Sequence, residues 1–333
     1  MSGGTFRALL ITEQGAEASL VDLAEADLPE GDVTVAIEAS TINYKDALIL
    51  GGKMPLVRRF PMVPGIDLAG TVVASANARW RPGDRVIANG WGLGERHWGG
   101  FAERARLDGE WLVACPPGLS SFEAMAIGTA GYTAMLCVLA LVRQGVRPDD
   151  GEILVTGATG GVGSIAIALL AGRGYRVAAA TGRPEEEAYL RELGATELVD
   201  RAELASPGPP LQTERWAGAI DTAGSHILAN ICASLRYGGT VAATGIAQGT
   251  DLPATMFPFA LRAITLCGVD SVMAPRERRE EAWSCLAAEI DRTRLALITS
   301  RIGLAAGPAR AADLLGSRTR GRIVIDMDLK GEA

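Results

Sequence analysis

Histidine is almost missing from this chain. His97 and His226 are the only two in 333 residues, and neither reads as a metal ligand; His97 reads as a structural hydrogen-bonding residue. Cysteine is sparse too: Cys115, Cys137, Cys232, Cys267 and Cys285 are odd in number, scattered and free of any C-x-x-C. That pattern predicts reduced, mostly buried thiols in a cytoplasmic protein rather than a disulfide framework. Positive charge is also short, with 32 Lys and Arg against 39 Asp and Glu and a net charge of −7. Binding a phosphate backbone needs a basic surface, so no nucleic-acid partner is expected. No apolar run reads as long enough to span a bilayer, and residues 1–7 lack the basic and apolar stretches of a signal peptide. No membrane partner is expected. There are no repeats and no low-complexity segments.

What is present describes a two-part globular chain, 48% hydrophobic and 21% charged, with 41 glycines. Before about Ala114 the pattern is β: Val33, Val35 and Ile37 alternate with polar residues, as on a half-buried strand. Residues 6–11, 70–73, 85–88 and 101–107 are further strand candidates, broken by turns such as Arg81-Pro-Gly-Asp84. Ser120 and Glu123 have capping-box spacing, which predicts a helix after Ser120. From Glu152 the rhythm changes. Strands at 153–156, 176–180, 197–200, 218–221 and 240–244 alternate with helical stretches, notably 184–193 and 226–235. Such alternation predicts βαβ crossovers and an α/β fold with a doubly wound parallel sheet. A long helix over 277–290, a short one and a final strand over 322–326 follow. The β-rich part is expected to be discontinuous, 1–126 with 270–333, around a central domain over 127–269.

The first strand of the central domain runs into Gly157-Ala-Thr-Gly-Gly-Val-Gly163, and an apolar stretch follows at once. A strand, a glycine-rich turn and a helix N-terminus together make an anion site, and small residues let a pyrophosphate approach the backbone. The spacing Ala158-x-Gly160-x-x-Gly163 is a dinucleotide fingerprint with Ala in place of the first Gly. An NAD-specific site carries an acidic residue about 20 positions further on. Here the corner reads Thr181-Gly182-Arg183, a hydroxyl, bare backbone and a planar cation suited to a 2′-phosphate. The cofactor expected is NADPH.

Thr41-Ile-Asn-Tyr-Lys-Asp46, Val63-Pro-Gly-Ile-Asp-Leu-Ala-Gly70 and the glycine turn together resemble the medium-chain dehydrogenase/reductase superfamily. The resemblance implies a Rossmann domain beside a GroES-like catalytic domain. In the alcohol dehydrogenases of that superfamily a Cys and a His in the first two segments bind catalytic zinc. This chain has Asn43 and Ile66 there, and residues 90–100 stand where the structural zinc lobe would be, without its cysteines. It therefore resembles the zinc-independent branch, with no metal expected. Without a Lewis acid, hydride addition to an activated C=C bond is easier than alcohol oxidation; it needs donors near the carbonyl and a route for one proton. Tyr44 is expected beside the nicotinamide, either as orienting group or proton donor, or as packing alone. Asn43 either donates to a developing enolate or fixes its loop. Asp46 and Asp67 are expected to hold loops together.

Longer blocks resemble the NADPH-dependent acryloyl-CoA reductases, often labelled quinone oxidoreductases. They include Asn43–Asp46, Arg58–Asp67, Gly90–Glu95, His97–Gly100, Gly128–Met135, Trp216–Thr222, Pro258–Arg262 and Gly268–Met273. The resemblance implies Ala158, Thr159, Gly160, Gly161, Val162 and Gly163 at the pyrophosphate, with Thr181, Gly182, Arg183 and Arg201 at the 2′-phosphate. It implies Ile246, Ala260, Ser271 and Ser317 around the cofactor. Ala260 and Ser317 depart from the bulkier side chain and the Asn expected in relatives. A short enoyl-CoA thioester is the implied substrate, with Lys53, Arg58 and Arg59 toward its phosphates, and a homodimer the implied assembly. An NADPH:quinone or enone reductase and a non-catalytic NADPH-binding protein are the alternatives.

Overall fold

The computed structural model describes residues 4–329. In chain order the first elements are β1 (Thr5–Leu10), β2 (Ser19–Ala24), β3 (Val33–Ile42), α1 (Tyr44–Leu50), β4 (Asp67–Ser75), β5 (Arg85–Asn89), β6 (Arg104–Leu107) and β7 (Leu112–Ala114). Next come α2 (Ser121–Arg143), β8 (Glu152–Val155), α3 (Gly161–Gly172), β9 (Arg176–Thr181), α4 (Glu187–Leu193), β10 (Ala195–Asp200) and α5 (Ala202–Ala205). The run continues through β11 (Trp216–Asp221), α6 (Ser225–Ser234), β12 (Leu235–Ala243), α7 (Phe257–Arg262) and β13 (Thr265–Gly268). It closes with α8 (Arg276–Glu289), α9 (Arg292–Ile298), β14 (Thr299–Ile302), α10 (Gly307–Leu315) and β15 (Arg322–Asp326).

The chain forms two compact units. One contains residues up to Thr129 with Ser271–Ala287 and the segment from Ile298; the other contains Ala130–Asp270 with Ala288–Leu297. The second unit is a six-stranded parallel sheet in the order β10-β9-β8-β11-β12-β13. Its central strands β8, β9 and β11 are buried along most of their length and read as near-continuous apolar runs, as strands covered on both faces do. Leu154, Ala178, Trp216, Ile231 and Val241 lie in its core.

The first unit is built on a seven-stranded sheet, β14-β15-β3-β4-β5-β7, with β6 on β3, and a separate β1-β2 pair. Its long strand β3 alternates as read from sequence: Val33, Val35 and Ile37 are buried beside Leu68, Val86 and Leu107. β15 pairs antiparallel with β3, Ile323 opposite Ile42, so the last strand completes a sheet begun at the other end of the chain.

Two features differ from the sequence reading. Residues 288–297 belong to the parallel-sheet unit, where Glu289 meets Arg173 at 2.6 Å and the Arg294 guanidinium reaches the Ala168 carbonyl at 3.5 Å. By length and composition alone, α2 is also apolar enough to cross a membrane, and 89% of its most apolar stretch is buried inside the protein. Its hydrophobicity is that of a core element. The capping box at its start forms: Glu123 N–H donates to Ser120 Oγ at 3.1 Å, and Ser120 N–H donates to the Glu123 carboxylate at 2.8 Å.

Candidate active site

In the parallel-sheet unit the glycine turn lies at the carboxyl end of β8, where open α/β sheets bind ligands. Thr156 Oγ1 donates to Asp221 at 2.7 Å and accepts from Thr222 N–H at 2.9 Å, locking the ends of β8 and β11 together. Gly160 caps α3 with no side-chain bond, so the first amides of the helix, at Gly161, Val162 and Gly163, have no intrahelical acceptor and suit an anion. Gly163 is dictated by packing. A Cβ there would lie 2.3 Å from the Gly157 carbonyl oxygen and 2.8 Å from the Ala158 Cα.

The second strand ends at Thr181, buried, whose Oγ1 accepts from Arg183 N–H at 3.0 Å. The Arg183 guanidinium turns back onto Thr159 Oγ1, Nε at 3.2 Å. Arg201 donates its amide to the Thr181 carbonyl at 3.0 Å, and its guanidinium covers Gly182, where a Cβ would meet Nη2 at 2.9 Å. Thr159, Thr181, Gly182, Arg183 and Arg201 therefore form one corner with two cations, while Glu187 is turned to Arg191 on the next helix. Such a corner with the turn's free amides fits a dinucleotide carrying a 2′-phosphate. Ile246, 68% exposed, lies in the loop after β12, and Ala260 is exposed on α7.

The remaining predicted residues belong to the other unit. Tyr44 is the first residue of α1 and is 55% exposed. Asn43 caps that helix and sits in a buried polar network. Its Nδ2 donates to Asp67 at 2.8 Å and its Oδ1 accepts from Arg322 at 3.1 Å. Asp46 accepts from Asn43 N–H and Ile66 N–H, both at 2.9 Å. Asp67 also accepts from Asn89 at 2.6 Å and from Thr129 N–H at 2.8 Å. Arg322 reaches Thr41 Oγ1 at 2.8 Å and the Ala126 carbonyl at 3.2 Å. Burial pushes the Asp46 carboxyl up to about 7, with the nearby Asp67 carboxylate adding to the effect against the pull of the Asn43 amide. Burial also lowers the Arg322 guanidinium, partly offset by the two carboxylates.

Gly128 is what lets this network close. Its φ of 51° and ψ of −160° break α2, and a Cβ there would lie 2.6 Å from Arg322 Nη2 and 2.9 Å from Asp67. Ser271 is buried, and its carbonyl accepts from the buried Arg279 at 3.2 Å. Ser317 follows α10 at a φ of 55°. Lys53, Arg58 and Arg59 are exposed in the segment after α1.

Arg322, Thr41, Thr129 and Asn89 were not legible as site residues. The one signal is an arginine opening the apolar strand Arg322–Asp326, and its partners lie up to 281 residues away. Where zinc-dependent dehydrogenases need thiolate and imidazole, this unit offers a saturated amide, Asn43, and an aliphatic side chain, Ile66. Among the described residues no group of three His, Cys, Asp or Glu could hold a metal ion. These residues do not fit zinc.

Residues 29–117 match the alcohol dehydrogenase GroES-like domain, and residues 161–288 match the family described as zinc-binding dehydrogenase. The chain is 50% identical to the probable acrylyl-CoA reductase AcuI of Escherichia coli (strain K12), over 97% of this chain and all of that protein. It is 48% identical to the acrylyl-CoA reductase AcuI of Ruegeria pomeroyi, over 94% of this chain and 95% of that one. The crystal structure of the yhdH oxidoreductase from Salmonella enterica in complex with NADP superposes with a TM-score of 0.95 at 50% identity, over 97% of this chain and all of that one. The chain belongs to the medium-chain dehydrogenase/reductase superfamily, in the group that includes acrylyl-CoA reductase AcuI.

Proposed function

We propose that this protein reduces the activated C=C bond of a short enoyl-CoA, acryloyl-CoA to propanoyl-CoA, with NADPH. Half of its residues are identical to those of the probable acrylyl-CoA reductase AcuI of Escherichia coli along that protein's whole length, and this observation carries the reading. The two-arginine corner at Thr181–Arg183 supports NADPH, and the donor set at Asn43 and Ile66 supports a reaction without zinc.

The cofactor, when bound, supplies a hydride to the β-carbon of the thioester. Hydride addition leaves an enolate, and one proton from the chain or from water then completes propanoyl-CoA at the α-carbon. Gly161, Val162 and Gly163 hold the pyrophosphate through their amides; Thr181, Arg183 and Arg201 hold the 2′-phosphate. Ile246, Ala260, Ser271 and Ser317 line the cofactor. Tyr44 orients the reacting groups or delivers the proton through its hydroxyl. Asn43 acts as a positioning residue, because both ends of its amide are engaged by Asp67 and Arg322. Lys53, Arg58 and Arg59 face the CoA phosphates. The protein acts in the cytoplasm, consistent with five cysteines that form no disulfide among the described residues, and as a homodimer through α7, whose Phe257 and Leu261 are 53% and 60% exposed.

NADPH oxidation with acryloyl-CoA and with 1,4-benzoquinone, each with and without a chelator, tests the proposal. A kcat/KM strongly favouring acryloyl-CoA and unchanged by chelator is expected. A preference for the quinone would move the function to quinone reduction.

A further inference from the structure

Outside the network, the GroES-like unit carries a surface cleft of about 770 Å³. That volume falls within the roughly 300–1,000 Å³ typical of small-molecule sites. Phe60, Trp98 and Trp111 supply aromatic walls, and Arg59 and Arg96 supply guanidinium groups. The walls are fixed. Trp98 Nε1 donates to the Pro61 carbonyl at 2.9 Å, and the His97 ring stands edge-on to Trp111 with centroids 5.1 Å apart. The His97 nitrogens lie 3.0 Å from the Trp98 carbonyl oxygen and 3.2 Å from that of Glu30.

The cleft carries three carboxylates, Glu30, Asp32 and Asp108, beside its two guanidinium groups, and two of those carboxylates are held by neutral N–H donors that fix their position and keep their charge. Asp32 is occupied by Asn77 Nδ2 and Gly109 N–H, both at 2.7 Å, and Asp108 by Glu110 N–H at 2.8 Å. Glu30 is exposed at the rim. Arg59 and Arg96 are exposed and have no carboxylate partner among the described residues. Unpaired guanidinium groups beside aromatic faces match a ligand that joins phosphates to a flat base.

The cleft is tied to the helix that begins at Tyr44. Glu95 pairs with Lys45 at 2.7 Å, and its carbonyl accepts from Arg58 N–H at 2.7 Å. One residue thus connects the first turn of α1, the Arg58–Arg59 segment and Arg96.

We propose that this cleft binds the 3′-phosphoadenosine diphosphate end of the CoA thioester, with Arg59 and Arg96 on the phosphates and the adenine against Phe60 and Trp98. The assignment rests on the enoyl-CoA reading above and names the part of the substrate that the cleft recognises. The nucleotide end contributes to binding, and the acyl end reacts at a distance set by the pantetheine arm.

Two measurements test it on the full chain. The first is the KM of acryloyl-CoA against that of acryloyl-pantetheine, which lacks the nucleotide, in the wild type and in the Arg59→Ala/Arg96→Ala variant. The wild type is expected to favour the CoA ester by at least about tenfold in KM, each lost phosphate contact being a charge-assisted one. In the variant that ratio collapses toward one. The second is calorimetric titration of free CoA into the NADP-saturated protein, where the variant loses affinity by a similar factor. Retention of the wild-type KM ratio and CoA affinity by the variant would overturn the assignment. CoA binding that depends on both arginines, in a protein that reduces neither thioester, keeps the cleft and removes the enoyl-CoA reading instead.

Discussion

At the scale of the residue, Asp46 and Tyr44 make the sharpest demands. Asp46 titrates near 7 in the folded chain, against an ordinary value of 3.8. Between those values the native state holds a proton that the unfolded chain has released, so raising pH through about 4 to 7 lowers stability, by at most about 1.4 kcal/mol per pH unit. Below that window the carboxyl is neutral in both states, and above it the loss is complete. Asp46→Asn removes this contribution. Urea unfolding at pH 4.5 and 7.5 should show the wild type losing stability relative to the variant, and parallel behaviour would mean that Asp46 is not protonated in the native state. Tyr44→Phe keeps the ring and deletes only the hydroxyl, so kcat for acryloyl-CoA should fall about 100-fold if that group moves the proton. An unchanged kcat would assign the ring to packing. Tyr44 was visible in the sequence because it lies inside a contiguous block with Asn43 and Asp46. Arg322 was not, because a lone charge at the head of an apolar strand does not name its partners.

At the scale of the element, the strand-turn-helix around Gly157–Gly163 was the most legible part of the chain, since its steric demands are local. Gly163→Ala places a methyl 2.3 Å from a backbone oxygen that cannot yield. Overpacking of this kind costs about 1–3 kcal/mol, and the turn must shift to relieve it. NADPH Kd should rise about tenfold or more by fluorescence titration, with the fold retained by circular dichroism; an unchanged Kd would place the pyrophosphate elsewhere. β14 was not read as an element, because four residues on a sheet edge are too short to establish a period. Helix α2 shows the converse failure. Its run of small and apolar residues fills an interior, and a hydropathy pattern does not say whether the surrounding medium is lipid or protein.

At the scale of the whole molecule, each unit has a hydrophobic core of its own, and the nucleotide turn belongs to the parallel-sheet unit alone. A ligand at 100 times its Kd stabilises the native state by about 2.7 kcal/mol, which in a unit of about 150–250 residues raises Tm by roughly 5–10 °C. NADPH should produce a shift of that size, and NADH at equal concentration a clearly smaller one, because Arg183 and Arg201 have no 2′-phosphate to meet. Equal shifts would contradict the role given to that corner. The GroES-like unit, by contrast, is assembled from three separated stretches, and Arg322 bonds Thr41 across 281 residues. A ribosome adding about 5–20 residues per second needs roughly 15–55 s to cover that interval. Throughout it the emerging chain carries Asp46 and Asp67 without Arg322, the buried cation whose charge both carboxylates feel. Translation therefore sets a waiting time on the catalytic unit, and any product cut short before its final strand exposes the unpaired edge of β3 for chaperones or proteases to find.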